Sequence, residues 1–403
     1  MRIFIAVRHS NDPKQFYGGL WSGNFYPALR RLGHELVESQ VDLLPASRFM
    51  DRADRFTADQ LRTRGDLTQR ILDEVKAAHA ARPIDLFLSY FYNAHFDPAG
   101  FSDFHRLGIP TVNFYCNSIY QFELVTAVAA KVRYAWHAEK HARDSYLKVG
   151  ANPVWVQMGA DPDVYRPEAG VNREPKACFV GMKYADRDRW MAELILAGIP
   201  VDIYGPGWGS PSRAATNGSA DSSSRFCAVL RQAAAYLAVL GQNLRTNGLA
   251  GAVRRTWKQL AYRRQTKRLA PLFVPHALGS IPFTEITTTF ARYQAVLNFS
   301  NVWADGRPGA GLIPHVRLRD FEAPMCRTCY LTGHTDEIEE FYKVGAEIDT
   351  YRTSEELVEK VRYYLAHPDA AERLREAGYQ RARRDHTWEC RFRELFAKTD
   401  LGS

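Results

Sequence analysis

The sequence predicts an α/β protein made of two doubly wound halves. Its 403 residues are too many for one ordinary core. Short β-rich runs alternate with segments of helical spacing in both halves. Between the halves, ADPDVYRP carries two prolines and the character of a linker. A hydrophobic content of 46% with 24% charged residues is ordinary for a soluble globular chain.

In the first half, strands are expected at 3–7 (IFIAV), 35–39 (ELVES), 85–90 (DLFLSY) and 111–115 (TVNFY). FYPALRRLG reads as a helix ending at Gly33, and LTQRILDEVKAAHAAR as a helix bounded by Pro83. RYAWHAEKHARDSYLKVG reads as a further helix ending at Gly150, followed by the strand PVWVQMG. Such alternation implies right-handed crossovers and a parallel sheet covered on both faces. Ligands on such sheets sit beyond the carboxyl ends of the strands, so the loops that follow the strands are the informative ones.

Three loops of this half stand out. Gly18 and Gly19 are expected in a loop after the first strand, where glycine either lets backbone N–H groups approach a phosphate or sugar, or simply makes a turn. His95 follows DLFLSY and is either a site residue or a capping residue. Asn117 follows TVNFY; an amide cannot act as a base, so its role would be binding. Asp161-Pro162-Asp163 has the D-x-D form that holds a metal in some transferases, but its place in the linker reads as an interdomain turn.

The second half opens with ACFVG, MKYADRDRWMAELILAG and VDIYGPGW, that is strand, helix, strand. GSIPFTEITTTFARYQAVLNFS follows as loop, helix and strand. HVRLRDFEAPMCRTCYLT then reads as a loop, a short helix and a strand, placing Arg317, Arg319 and Glu322 at a helix start beside strand ends. A guanidinium there favours a phosphate and a carboxylate suits ribose hydroxyls, so the local chemistry suggests a nucleotide. An Arg–Glu ion pair in the first turn of a helix is the alternative.

Asn298 to Ser300, Arg319 to Glu322 and Tyr351 to Leu357 together form an order of motifs, Asn-Phe-Ser, Arg-x-Phe-Glu and Tyr-x-(Ser/Thr)-x-Glu-Glu-Leu. In this the last quarter of the chain resembles the CgeB-like, spore-maturation-protein-type glycosyltransferases, relatives of the retaining group 1 enzymes. The resemblance implies a GT-B fold, two Rossmann-like domains facing each other across a cleft. It implies transfer of a sugar from a nucleoside-diphosphate sugar, without a metal or a resident cofactor, to an unknown acceptor: a lipid-linked glycan, a polysaccharide or a protein. Domains are expected at 1–165 (acceptor side) and 171–385 (donor side), with 386–403 crossing back to the first.

The resemblance also assigns roles. Arg319 is expected at the diphosphate and Glu322 at the ribose. Gly181 with Lys183 and Arg187 are the nearest equivalents of a glycine followed by two basic residues that grip the diphosphate. Pro282 and Phe283 lie in the loop expected to meet the nucleobase, and Asn298 and Gly19 complete the donor set. His95 and Asn117 are the catalytic candidates. Two departures bear on activity: Pro314 stands where group 1 enzymes carry the first of two glutamates, and Asn117 stands where an aspartate is usual. They motivate a rival reading as a non-catalytic nucleotide-sugar-binding or structural protein. A nucleotide-sugar epimerase of the same fold is a further rival.

The six cysteines are scattered, which argues against a disulfide framework. Cys326 and Cys329, a lone C-x-x-C, read as small buried side chains. From Ser222 to Thr284 there is no acidic residue but ten basic ones, more than the net charge of +8, so the basicity is local. This region belongs to a basic helical insertion at about 210–278, whose Ser/Ala/Gly-rich start reads as mobile. Residues 225–270 are expected either to meet an anionic membrane surface or to pack as a helical hairpin with a solvated basic face. No nucleic-acid-binding motif accompanies the charge. MRIFIAV lacks the features of a signal peptide, so the expected location is cytoplasmic, with peripheral contact at the inner face of the membrane.

Overall fold

The computed structural model describes residues 1–10, 16–209 and 222–401, with side chains described outside 16–18 and 222–247. The first six strands are β1 (Arg2–Ala6), β2 (Glu35–Glu38), β3 (Leu86–Ser89), β4 (Thr111–Tyr115), β5 (Tyr134–His137) and β6 (Pro153–Trp155). They form one parallel sheet in the order β2-β1-β3-β4-β5-β6. β3 and β4 are buried along their whole length, as a sheet covered on both faces requires.

The second sheet uses β7 (Glu174–Val180), β8 (Val201–Tyr204), β9 (Ala277–Gly279) and β10 (Tyr293–Asn298). A two-stranded antiparallel hairpin, β11 (Asn301–Trp303) with β12 (Leu312–Pro314), then leaves the sheet, and β13 (Tyr330–Gly333) and β14 (Asp349–Tyr351) return to it. The order is β14-β13-β10-β7-β8-β9, all parallel. This is the dinucleotide-binding order, with its topological switch point between β7 and β10. The chain is thus an α/β protein with the GT-B arrangement of two parallel six-stranded sheets.

Several local readings need correction. RYAWH is not helical: it is β5, held between β4 and β6, and only Arg143–Lys148 forms a helix beyond it. A short run buried on both sides carries no periodicity that separates strand from helix. Gly19 lies in the first turns of the helix Phe16–Arg31 rather than in a loop. The helix Ala58–Ala81 begins earlier than its apolar pattern, under a capping box made by Thr57 and Gln60. The insertion is shorter than expected at its end: Phe273 packs edge-on against Trp208 at 5.2 Å and β9 is the sheet edge. Its start at 210–221 lies outside the described residues, as do the side chains of Arg225, Arg231 and Arg245.

The helix Trp388–Lys398 packs on the first half. Trp388 donates from Nε1 to Asn24 Oδ1 (2.9 Å), and both Trp388 and Phe392 meet Phe25 edge-on, at 4.9 and 5.2 Å. Arg31 draws the linker to the same place, pairing with Asp161 (3.1 Å), Asp163 (2.7 Å) and Glu389. The two acids of the D-x-D are therefore engaged by an arginine. Cys326 and Cys329 are buried and unpaired.

Candidate functional site

The carboxyl ends of the two sheets converge on a cavity of about 550 Å³. From the first half come His9 and Ser10 after β1, Tyr90 and Tyr92 after β3, and Asn117 and Tyr120 after β4. The second half contributes His315, Arg317 and Leu318 from the loop before the helix Arg319–Met325. A second, more polar cavity of about 680 Å³ adjoins it through the shared residues Met50 and Tyr120. Arg52, Arg55 and Glu123 line its first-half side, and Arg255, Asp305 and Arg307 the other.

The histidines of the first cavity are held neutral. The carbonyl of Tyr90 can only accept, so His9 donates to it from Nε2 and keeps the lone pair on Nδ1. Burial lowers the His9 pKa to about 4. Burial, then the nearby charge of Arg317, lowers that of His315 to about 3. His95 does not line the cavity: it stands fully buried behind His9, their ring centroids 4.2 Å apart. Its Nδ1 accepts from the Tyr92 backbone N–H (3.2 Å), which leaves Nε2 as the donor to Ser47 Oγ (3.0 Å). Asn117 does line the cavity, and its Oδ1 accepts from the Tyr120 hydroxyl at 2.6 Å.

Just beyond the carboxyl ends of β7 and β8 two loops touch backbone to backbone. The Gly205 φ of +123° brings its chain against the Gly181 carbonyl, which a Cβ at 205 would meet at 2.5 Å. That carbonyl accepts from Trp208 Nε1 (2.8 Å). Arg187, buried, donates from Nη1 to the Met182 carbonyl (2.9 Å) and lies over the Phe179 ring. Arg317 donates from Nη2 to the Asn301 carbonyl (2.9 Å). Neither guanidinium forms an ion pair within 4.0 Å among the described residues, and each keeps a buried Nε–H without a protein partner. Burial, and next the like charge of Arg317, pulls the Arg187 pKa down to about 9. Asp186 and Asp320 act on these guanidiniums without pairing with them, and two buried cations that repel are costly unless a further anion reaches them.

The other candidates form a separate cluster. Arg319 Nη1 stands 3.0 Å from Glu322 Oε2, though its N–H is not aimed along that line, and the guanidinium covers the Phe290 ring. Glu322 Oε1 accepts from the Tyr165 hydroxyl (2.6 Å), and Tyr165 meets Phe283 edge-on, beside Pro282. Asn298 is turned inward and donates to Asp320 (3.2 Å) and Thr332 (3.1 Å). Asp320 also accepts from the Arg317 N–H (2.6 Å), so this carboxylate fixes the loop that carries Arg317. Lys183 points elsewhere, over Phe273. Among the described residues no three His, Cys, Asp or Glu side chains gather where they could hold a metal ion. His9, His315 and Tyr90 line the site without having been expected there, and Arg317, expected only as one of two basic residues at a helix start, is the one that reaches the cavity; position just after a strand's carboxyl end was the available signal for His9 and Tyr90.

Residues 245–397 match a protein family described as glycosyl transferase-like. No curated protein matches the chain. Among solved structures, a glycosyltransferase from Rickettsia africae is similar with a TM-score of 0.56 at 10% identity, over 100% of this chain and 99% of that one. HepE of Anabaena, solved with UDP, gives 0.54 at 11% identity over 99% and 100%. Sucrose-phosphate synthase from Thermosynechococcus elongatus gives 0.52 at 12% over 98% and 99%. The class is therefore the GT-B fold of glycosyltransferases. Within it, this chain carries a glycosyl transferase-like region over its second half.

Proposed function

We propose that the protein is a group 1 glycosyltransferase of the CgeB-like kind that moves a sugar from a nucleoside diphosphate to an acceptor hydroxyl, with retention and without a metal. The observation that carries this reading is the Arg187–Arg317 pair, two neighbouring cations with unpartnered N–H groups at the switch point of a dinucleotide-type sheet. A diphosphate supplies the missing anion. As the sugar C1–O bond breaks, its electron pair passes to the diphosphate, and fixed guanidiniums stabilise the charge that develops there. The resemblance assigns the ribose to Glu322 and the base to Pro282–Phe283. His9 and Asn117 wall the sugar in the first cavity, and the acceptor enters through the polar cavity beside it.

The test is a panel of nucleotide sugars, scored first for thermal stabilisation and then for release of nucleoside diphosphate. Stabilisation together with acceptor-dependent release supports transfer. Stabilisation without release assigns a nucleotide-sugar-binding role instead, for which the Pro314 departure provides a reason. No stabilisation by any nucleotide sugar overturns both.

A further inference from the structure

The long helix that ends at Phe273 is broken at Gly248, and beyond the break it has two unlike faces. The inner face is fastened to the second half at four places. Arg255 pairs with Asp305 (2.5 Å), Gly309 lies against the helix at Gln259, Tyr262 meets Trp303 edge-on (5.2 Å), and Thr266 donates to Asp188 (2.8 Å). Spacings of three and four residues place these on one side of the helix.

On the opposite side Leu249, Val253 and Trp257 follow one another at four-residue steps and are 74%, 52% and 62% exposed. Arg254, Lys258, Arg264, Lys267 and Arg268 are exposed around and beyond them. No acidic residue relieves this charge between Ser222 and Thr284. Scattered apolar side chains on a surface need no explanation, but an aligned row of three with a basic rim is not scattered.

We infer that this outer face docks on an anionic membrane surface. Among the described residues the row is three side chains long, too narrow for a stable protein interface, which buries roughly 1,200 Å² or more. Interfacial insertion needs only a few apolar side chains beside Lys and Arg that reach lipid phosphates, and tryptophan suits the headgroup level. The association is peripheral in kind: among the described residues no helix is long and apolar enough to cross a membrane. Arg255, two residues before Trp257, lines the polar cavity. Arg255 sits on the inner face, so docking of the outer face holds that cavity one helix diameter, roughly 10 Å, from the lipid surface, a span that suits an acceptor with a lipid anchor. This last consequence rests on the transferase reading; the docking itself does not.

The experiment is co-sedimentation of the full chain with vesicles of equal parts phosphatidylglycerol and phosphatidylcholine, against phosphatidylcholine alone. The chain is expected to pellet with the anionic vesicles at low salt and to be released at high salt. A Leu249→Ser, Trp257→Ser variant is expected to partition at least about tenfold more weakly. Each of Lys258→Gln, Arg264→Gln and Lys267→Gln should cost roughly fivefold. These side chains are exposed, and unchanged melting temperatures check that the variants fold. Equal pelleting of parent and apolar variant, or no pelleting at low salt, overturns the proposal. So does a dimer that the apolar variant dissolves, which would give this face to a second copy. Failure of nucleotide binding in the parent would instead remove the transferase reading and leave the vesicle result standing.

Discussion

Arg187 and Arg317 set up a trade between stability and binding. Replacing either with methionine removes one member of a mutually repelling pair at the loss of a hydrogen bond to the Met182 or Asn301 carbonyl and, for Arg187, of its place over the Phe179 ring. The expected outcome is a nucleotide-free protein whose melting temperature is unchanged or higher. Binding of UDP is expected to fall at least about tenfold, since a hydrogen bond to a charged group contributes roughly 1.5–3 kcal/mol. Differential scanning and titration calorimetry read the two effects separately. Arg319→Met is the contrast: its guanidinium already has Glu322 beside it, so the change strands a buried carboxylate and the melting temperature is expected to fall. Which arginine of the loop faces the cavity was not legible in the sequence. Arg317 and Arg319 lie two apart just before a helix, where neither a helical nor a strand period fixes direction, and the choice is made by Asp320, which holds the Arg317 N–H. Arg187 was expected only through the resemblance, as one of two basic residues after Gly181, of which the other, Lys183, points over Phe273 instead.

Among the elements, the β11–β12 hairpin joins the chemistry to the basic helix. Gly309, at φ +87°, brings the hairpin onto the helix backbone, where a Cβ would stand 2.8 Å from Gln259 Cγ and 3.3 Å from the Arg255 carbonyl. Gly309→Val adds both strain and a clash, each of order 1–3 kcal/mol. It is expected to lower the melting temperature and to loosen the Arg255–Asp305 pair that lines the polar cavity. Acceptor-dependent turnover should then fall more than UDP binding, a split that parallel kinetics and calorimetry would reveal. The strands were read well wherever a turn residue bounded them, as at 35–38 and 111–115. β5 was misread because its neighbours in the sheet, not its own spacing, make RYAWH a strand. The hairpin itself went unseen, since its strands are only three residues each, too short for an alternating pattern, although the eight-residue loop 304–311 between them holds Asp-Gly and Pro-Gly turn pairs.

For the whole molecule, buried titratable groups define a pH window. Burial, then Glu337 close by, raises the Glu139 pKa to about 8, and burial raises that of Glu337 to about 7. Both belong to the junction of the halves, where Gln157 donates to Glu337 (3.0 Å) and the Ser118 N–H to Glu139 (2.9 Å). Acids with raised folded pKa values contribute stability that is full below the unfolded value of 4.5 and lost as pH rises through 7 and 8. His9, His315 and His386 act oppositely. Burial lowers them to about 4, 3 and 3, so their contribution is present above 6.5 and lost as pH falls through those values. Urea midpoints measured across pH should therefore peak at about pH 6, and Glu139→Gln with Glu337→Gln should flatten the alkaline limb only. An alkaline limb that survives both changes would contradict this account. The helix Trp388–Lys398 has a consequence of another kind, for the order of events at the ribosome. One apolar cluster of the second half, around Trp208, Phe273, Leu297 and Leu357, draws only on residues of that half. The aromatic cluster of Trp21, Phe25, Phe114 and Trp136 instead closes with Trp388 and Phe392. The first half therefore waits for a helix 364 residues further along the chain to be made before its core is sealed.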